Sequence, residues 1–424
     1  MELKPGYKQT EVGVIPEDWE VASVGEKGQV LAGKALAVNA PGKQRPYLRT
    51  KNVFDGRIDV EDVLSMPMTD EQFSQFQLRH GDVLLNEGQS LDLVGRCSVY
   101  KEEYPEPCAI QNALLRFRAN TGTSATFATH LFRHCQQTGV FAKIALQTTS
   151  VAHLGSSRFA NLKLAWPTEN EQRLIAEALD ELDALLGSLK AAITKKTALK
   201  QAAMQELLTG KRRLPGFEGE WEVMRLGSEI RDLQAGVSVT STTDNDQTNT
   251  DHYVLKTSAV VQGRFIPSEK KEINPGEVKR AKTSIRKGDL IISRMNTLAL
   301  VGECGYSDSD HPNLYLPDRL WRAAYRDPSA ISSHWLSYAL SMQQNRIRIK
   351  ELATGTSGSM KNISKRALLN LEIKWPSLEE QTAIAEILSA MDADIDAIGE
   401  HLLKAQGIKQ GMMQQLLTGK IRLK

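Results

Sequence analysis

The sequence predicts an α/β (α+β) protein built from two similar globular domains and two long helices, laid out as an internal repeat. Three observations carry this. The heptapeptide QELLTGK at 205–211 returns as QQLLTGK at 414–420. The match extends upstream, with residues 169–211 and 378–420 identical at 18 of 43 positions. Ahead of each copy, β-rich runs (DVLLN, DLIISR) alternate with turns (FDGR, HGD, KGD) and amphipathic stretches. A chain of 424 residues has room for two or three domains, each with its own core.

Taken in order, the first domain spans 1–167. DWEVASVG (18–25), RTKNVFDGRI (49–58), RHGDVLL (79–85), LVGRC (93–97) and NLKLAWP (161–167) each return in the second domain, 213–376. Their counterparts are EWEVMRLG (220–227), KTSAVVQGRF (256–265), RKGDLII (286–292), LVGEC (300–304) and NLEIKWP (370–376). The stretches ATFATHLFRHCQQTGVFAKIA and SSHWLSYALSMQQNRIRIKELA read as helical, and each domain as helices on a mixed or antiparallel sheet. A repeat this long is a domain plus an appendage, not a solenoid unit.

The appendages, 168–212 and 377–424, are the long helices. Ile175, Leu179, Leu182, Leu186, Leu189 and Ile193 are spaced alternately four and three apart, as are Ile384, Leu388, Met391, Ile395, Ile398 and Leu402. That is an a/d seam. Lys196 and Lys200 interrupt the first seam and Lys409 the second, with Lys200 and Lys409 at equivalent places where a basic residue would fix register at a cost in stability. WPTENEQ and WPSLEEQ open the helices with capping chemistry, and Gly210 and Gly419 close them.

Composition excludes several classes. With 41% hydrophobic and 25% charged residues and a net charge of +2, the chain is neither disordered nor committed to or against a polyanion. Cys97, Cys108, Cys135 and Cys304 form no CxxC pair, so no disulfide framework or zinc knuckle is expected. No apolar run reaches the length of a membrane span and no signal-peptide core is present, so a cytoplasmic protein is expected. GQVLAGKA (28–35) misses a P-loop because Ala35 stands where Mg²⁺ needs Ser or Thr. His130 and His134 lack the Glu of a zinc-protease helix. There is no GxSxG, no dinucleotide fingerprint and no Pro-Pro for an amino-methyltransferase loop. No catalytic residue and no metal site is expected.

What the halves share is polar and basic turn residues. Arg49 and Lys51 face Lys256 and Ser258; Asn86, Gln89 and Ser90 face the stretch holding Arg294, Asn296 and Thr297. TTSVAHLGSSR, with His153, Ser156, Ser157 and Arg158, faces GTSGSMKNISKR, with Thr356, Ser357, Lys361, Asn362 and Lys365. Arg, Lys, Asn and Gln suit base edges, while hydroxyls and Gly-rich backbone suit phosphates, so these are the candidate DNA-binding residues. The basic run 270–287 has an acidic counterpart in the first half, so the two halves need not touch identical partners.

GVIPEDWEV, the doubled WPxxxEQ…IAExL and LLTGKRRLPGF closely resemble the specificity (S) subunit of type I restriction–modification systems, over essentially the whole chain. The resemblance implies two target-recognition domains, related by a pseudo-two-fold, each reading half of a split double-stranded DNA target. It implies that the helices pair as an antiparallel coiled coil and dock methylation subunits. Two copies are expected, because the halves end alike. It further implies restriction subunits in the complex, with S-adenosylmethionine and ATP used on the partners and no cofactor or catalysis in this chain. Domains one helical turn apart on DNA would sit roughly 10 base pairs centre to centre, leaving about six unread.

Overall fold

In the computed structural model, the residues described are 5–148, 150–241, 250–355 and 360–424. The chain divides into two compact units, Met1–Lys190 with Glu400–Lys424, and Ala191–Gly399. Each unit therefore combines one globular repeat with a segment of both long helices.

The helices run Glu169–Leu207 and Leu378–Leu416, 39 residues each and about 58 Å long. Ser377 caps the second by accepting from Glu380 N at 3.3 Å. Gly210 and Gly419 follow at φ 71° and 69°, the left-handed turn that a helix stop favours. Within the first unit Glu171 meets Arg422 and Asp183 meets Lys409. Within the second, Lys200 meets Asp392 and Arg213 meets Glu380. Positions rise along one helix as they fall along the other, so the segments pair antiparallel in each unit.

The repeated Glu-Gln at each helix start ties helix to domain. Gln172 Nε2 donates to Pro167 O (2.9 Å) while its Oε1 accepts from Ser124 N (2.9 Å). Gln381 does the same with Pro376 O (3.0 Å) and Ser332 N (3.0 Å). Ser124 and Ser332 are themselves the N-caps of the domain helices Ala125–Gln137 and Ser333–Ser341. Buried Glu171 accepts from Trp19 Nε1 (2.8 Å) and pairs with Arg422 (2.7 Å). Equally buried Glu380 accepts from Trp221 Nε1 (3.0 Å) and pairs with Arg213 (2.7 Å).

The first unit's main sheet has the order Cys97–Val99, Val83–Asn86, Leu114–Ala119, Gly28–Ala32, all antiparallel. A mixed three-stranded sheet lies beside it in sequence, Ala109–Ile110 running parallel to Lys43–Leu48, which pairs antiparallel with Leu64–Met68. The second unit has a six-stranded sheet with one parallel pair and a four-stranded mixed sheet. The two long amphipathic stretches are each broken in two. Gly139 (φ 74°) separates Ala125–Gln137 from Val140–Ile144, and Met342 separates Ser333–Ser341 from Gln343–Glu351.

The cores explain the ends of the seams. In the first unit Phe132 packs edge-on to Phe117 (5.1 Å) and Phe159 (5.0 Å), in one cluster with Ile175, Leu179, Met413 and Leu416. In the second, Trp335 and Trp375 (5.4 Å) share a core with Ile384, Leu388, Leu207 and Leu208. The first two residues of each seam are thus also part of a domain core. Leu186 is buried, while Leu182, Leu189, Ile193, Met391, Ile395, Ile398 and Leu402 are half-buried.

Candidate nucleic-acid interface

Each unit carries an equivalent corner where the central strand of its sheet ends. Val83–Asn86 runs into Glu87, and Leu290–Ser293 into Arg294. Glu87 N donates to Ala113 O (2.9 Å) and its O accepts from Leu154 N (2.8 Å). Arg294 N donates to Arg319 O (3.0 Å) and its O accepts from Ile363 N (3.1 Å). Beyond each comes a two-residue strand. Gly88–Gln89 pairs with Val151–His153, and Met295–Asn296 with Lys361–Asn362. One helical turn follows, closed by Val94 N to Ser90 O (2.9 Å) and by Val301 N to Thr297 O (2.9 Å).

In the first unit this corner collects Gln89, Ser90 and His153; in the second it collects Arg294, Asn296, Thr297, Lys361 and Asn362. Ser156, Ser157 and Arg158 follow on the short helix Ser156–Ala160, and Arg158 donates to His153 O at 2.8 Å. Lys361 donates to Gly355 O (2.6 Å). Asn296 corrects the sequence reading: it is buried, its Oδ1 accepts from Thr297 N (2.9 Å) and its Nδ2 donates to Ser293 Oγ (3.3 Å), so its carboxamide is used inside the domain. Lys365 is drawn away to Asp232 (2.8 Å), whose carboxyl it holds below the usual range. Thr356 and Ser357 lie outside the described residues.

Asn86 corrects the sequence reading. It is fully buried and donates to Val53 O (3.1 Å), so its carboxamide braces the 3₁₀ turn region and is not presented to a base edge. Arg49, Lys51, Lys256 and Ser258 lie on or next to a separate pair of 3₁₀ turns, Thr50–Asn52 and Thr257–Ala259. They are matched to carboxylates at equivalent places. Asp62 takes Arg49 (2.7 Å) and Lys51 (2.6 Å); Glu269 takes Lys256 (3.7 Å) and the Ser258 hydroxyl (2.6 Å). In the second unit Lys271, Lys279, Arg280, Lys282, Arg286 and Lys287 are exposed, a solvated basic run of the kind that attracts a phosphate backbone.

Glu87 is the corner residue that sequence reading missed. Its signal was available as a charge reversal just after a matched strand, Asp-Val-Leu-Leu-Asn-Glu against Asp-Leu-Ile-Ile-Ser-Arg. Elsewhere, ligand atoms of His130, Asp180 and Asp183 lie within 4.8 Å of one another. Asp183 already faces Arg133 (2.8 Å) and Lys409, and His130 Nε2 bonds Asp180 (2.8 Å), so the group reads as a polar lock between domain and helix.

The family model for the type I restriction modification DNA specificity domain matches residues 16–197 and again 218–405. A putative type I restriction enzyme MjaX specificity subunit of Methanocaldococcus jannaschii is 26% identical, with 99% of this chain and 97% of the relative covered. The EcoKI specificity subunit of Escherichia coli K12 is 22% identical over 97% of this chain and 90% of its own length. In fold, the chain is similar to the S subunit of a type I system from M. genitalium (TM-score 0.59, 14% identity, 98% of both chains). A chain from a structure describing complex assembly of a type I R-M system gives a TM-score of 0.54 at 18% identity, covering 96% of this chain and 99% of that one. Two matched specificity domains, each built on one repeat and joined through long helices, establish that this chain belongs to the type I restriction–modification specificity-subunit family.

Proposed function

We propose that each globular domain reads one half of a bipartite double-stranded DNA target and that the helices set the length of the unread spacer. In this reading the helices also dock two copies of a methylation subunit, and restriction subunits join that assembly. The chain itself is non-catalytic and acts in the cytoplasm; S-adenosylmethionine and ATP belong to the partners. Among the described residues no helix is long and apolar enough to cross a membrane.

The observation that carries the docking half of this reading is a duplicated outer helix face. Leu199 is 52% exposed and its equivalent Ile408 is 56% exposed, outside the seam on both helices. Exposed small residues flank both, Ala198 and Ala202 beside the first, Gly407 and Gly411 beside the second. An apolar side chain repeated in a setting that lets another helix approach closely suits one partner binding twice.

The test is co-expression with the cognate methylation subunit. Leu199→Asp and Ile408→Asp are each expected to lower the bound methylation subunits from two to one, and the double variant to none, by sedimentation. Full binding by the double variant would remove the helix face as the dock. Mapping methylated adenines in the host tests the DNA half, which requires an interrupted, two-part motif.

A further inference from the structure

Residues 87 and 294 occupy the same position in the two repeats and carry opposite charges. As described, the backbone clamp on both sides is the same, with amide and carbonyl each bonded to equivalent loop residues beside the strands at 2.8–3.1 Å. Only the side-chain pair changes. Glu87 Oε2 accepts from His153 Nδ1 (3.1 Å) and Oε1 from Gly155 N (3.3 Å). Arg294 Nε donates to Asn362 Oδ1 (3.3 Å), with its guanidinium 5.7 Å from the Trp321 ring centre. His153 and Asn362 are equivalents at the 209-residue offset of the helices. The terminal nitrogens of Arg294 have no hydrogen-bond partner among the described residues.

A shared backbone frame holding Glu·His in one copy and Arg·Asn in the other suits an external target that varies in kind. Phosphates only accept hydrogen bonds, so a phosphate contact explains Arg294 but not Glu87. Two copies of one protein partner would meet opposite charges at the same point, which a shared docking surface disfavours. Base edges in the major groove present both acceptors and donors, and so accommodate either residue.

We propose that position 87 and position 294 each read one base pair from the major groove. Arg294, oriented by Asn362 and Trp321, donates both terminal nitrogens to O6 and N7 of a guanine. Glu87, oriented by His153, accepts from an exocyclic amino group, cytosine N4 or adenine N6. This rests on the bipartite-target reading above and adds the base chemistry at one position of each half.

The test maps methylated adenines across the host genome for the full chain assembled with its methylation subunit. The wild-type motif is expected to hold an invariant guanine in one half and an invariant cytosine or adenine in the other; the motif itself tells those two apart. Arg294→Ala and Arg294→Lys are both expected to weaken the guanine preference at least about fivefold, since a single ammonium cannot make the two-pronged contact, and to leave the other half unchanged. Glu87→Gln is expected to relax only the other half. Glu87→Arg with His153→Asn is expected to install a guanine preference there. A wild-type motif with no G·C pair in the half that Arg294→Ala relaxes overturns the proposal, and so does a Glu87→Gln protein that assembles and keeps the other half intact. So does an Arg294→Lys protein that assembles and keeps the motif intact, or an Arg294→Ala protein whose methylation falls evenly with no change of motif. If the wild type yields no two-part motif, the bipartite reading itself fails and this proposal with it.

Discussion

Lys200 and Lys409 lie in the helix seams at 9% and 6% exposure, where a lone ammonium is costly. Each meets an aspartate of the opposite helix, Lys200 with Asp392 at 2.6 Å and Lys409 with Asp183. Asp183 and Asp392 are equivalent, so the two pairs are one interaction made twice. Burial opposes the Asp183 charge, yet the Lys409 hydrogen bond and nearby Arg133 outweigh it and hold the carboxyl below its usual range. Burial, with the nearby Arg133 charge, pulls the Lys409 ammonium below its usual range despite the Asp183 partner. The pair therefore reads as a register device more than a source of stability. Lys200→Met is expected to destabilise the chain by about 1–3 kcal/mol in urea titration, because partly wet Asp392 keeps its bond from the Tyr338 hydroxyl (2.8 Å). Lys200→Met with Asp392→Leu should recover most of that loss. Since the folded Asp183 carboxyl is depressed, its contribution is present above the unfolded value near pH 4 and is lost as pH falls through the folded one. Acid titration of the wild type against Asp183→Asn checks this: the variant should lose less stability below pH 4. The lysines were legible in the sequence as interruptions, but their partners were not, because a pairing across about 200 positions leaves no local pattern.

At the scale of elements, heptad spacing located both helices because the same period occurs twice in equivalent places. It could not say what covers each position. Ile175 and Leu179, like Ile384 and Leu388, also pack into domain cores, whereas Leu182 and Met391 are only half-buried. Aspartate at the two depths should therefore act differently. Leu179→Asp is expected to prevent folding of the first unit, leaving insoluble protein or a collapsed near-UV circular dichroism signal. Leu182→Asp should fold and lose methylation-subunit assembly instead, as read by co-purification. Full assembly of Leu182→Asp would show that the middle of the seam is not under load. The breaks at Gly139 and Met342 were hidden because amphipathic periodicity runs through them. The candidate corner was half legible: polar turns mark it, but Asn86 and Asn296 have the same composition and lie inside.

At the scale of the whole chain, the first repeat carries Asp183 and Lys200, both halves of the seam pair. A fragment ending at Arg213 can satisfy them only against a second copy, antiparallel, with that copy's Met204 and Leu207 replacing Met413 and Leu416 in the core. It is expected to sediment as a dimer at micromolar concentration and, with the methylation subunit, to direct methylation to an interrupted palindrome. Lys196, which pairs with Asp394 in the full chain (2.8 Å), loses that carboxylate and should weaken the dimer. A folded monomer would defeat the equivalence of the halves. The clasp around the buried glutamates carries a different consequence. Arg422 beside Trp19 and Glu171 repeats, between opposite ends of the sequence, what Arg213 beside Trp221 and Glu380 does within one short stretch. Tyr7 Oη even reaches Gly419 O at 2.9 Å. For these contacts, backbone continuity between the arginine and the tryptophan is incidental. Breaking the chain between Gly216 and Phe217, in an exposed turn, and splicing Lys424 to Pro5 through a flexible linker should thus transpose the order of the repeats while preserving every clasp. Thermal melting and methylated-motif mapping of that permuted chain should match the original.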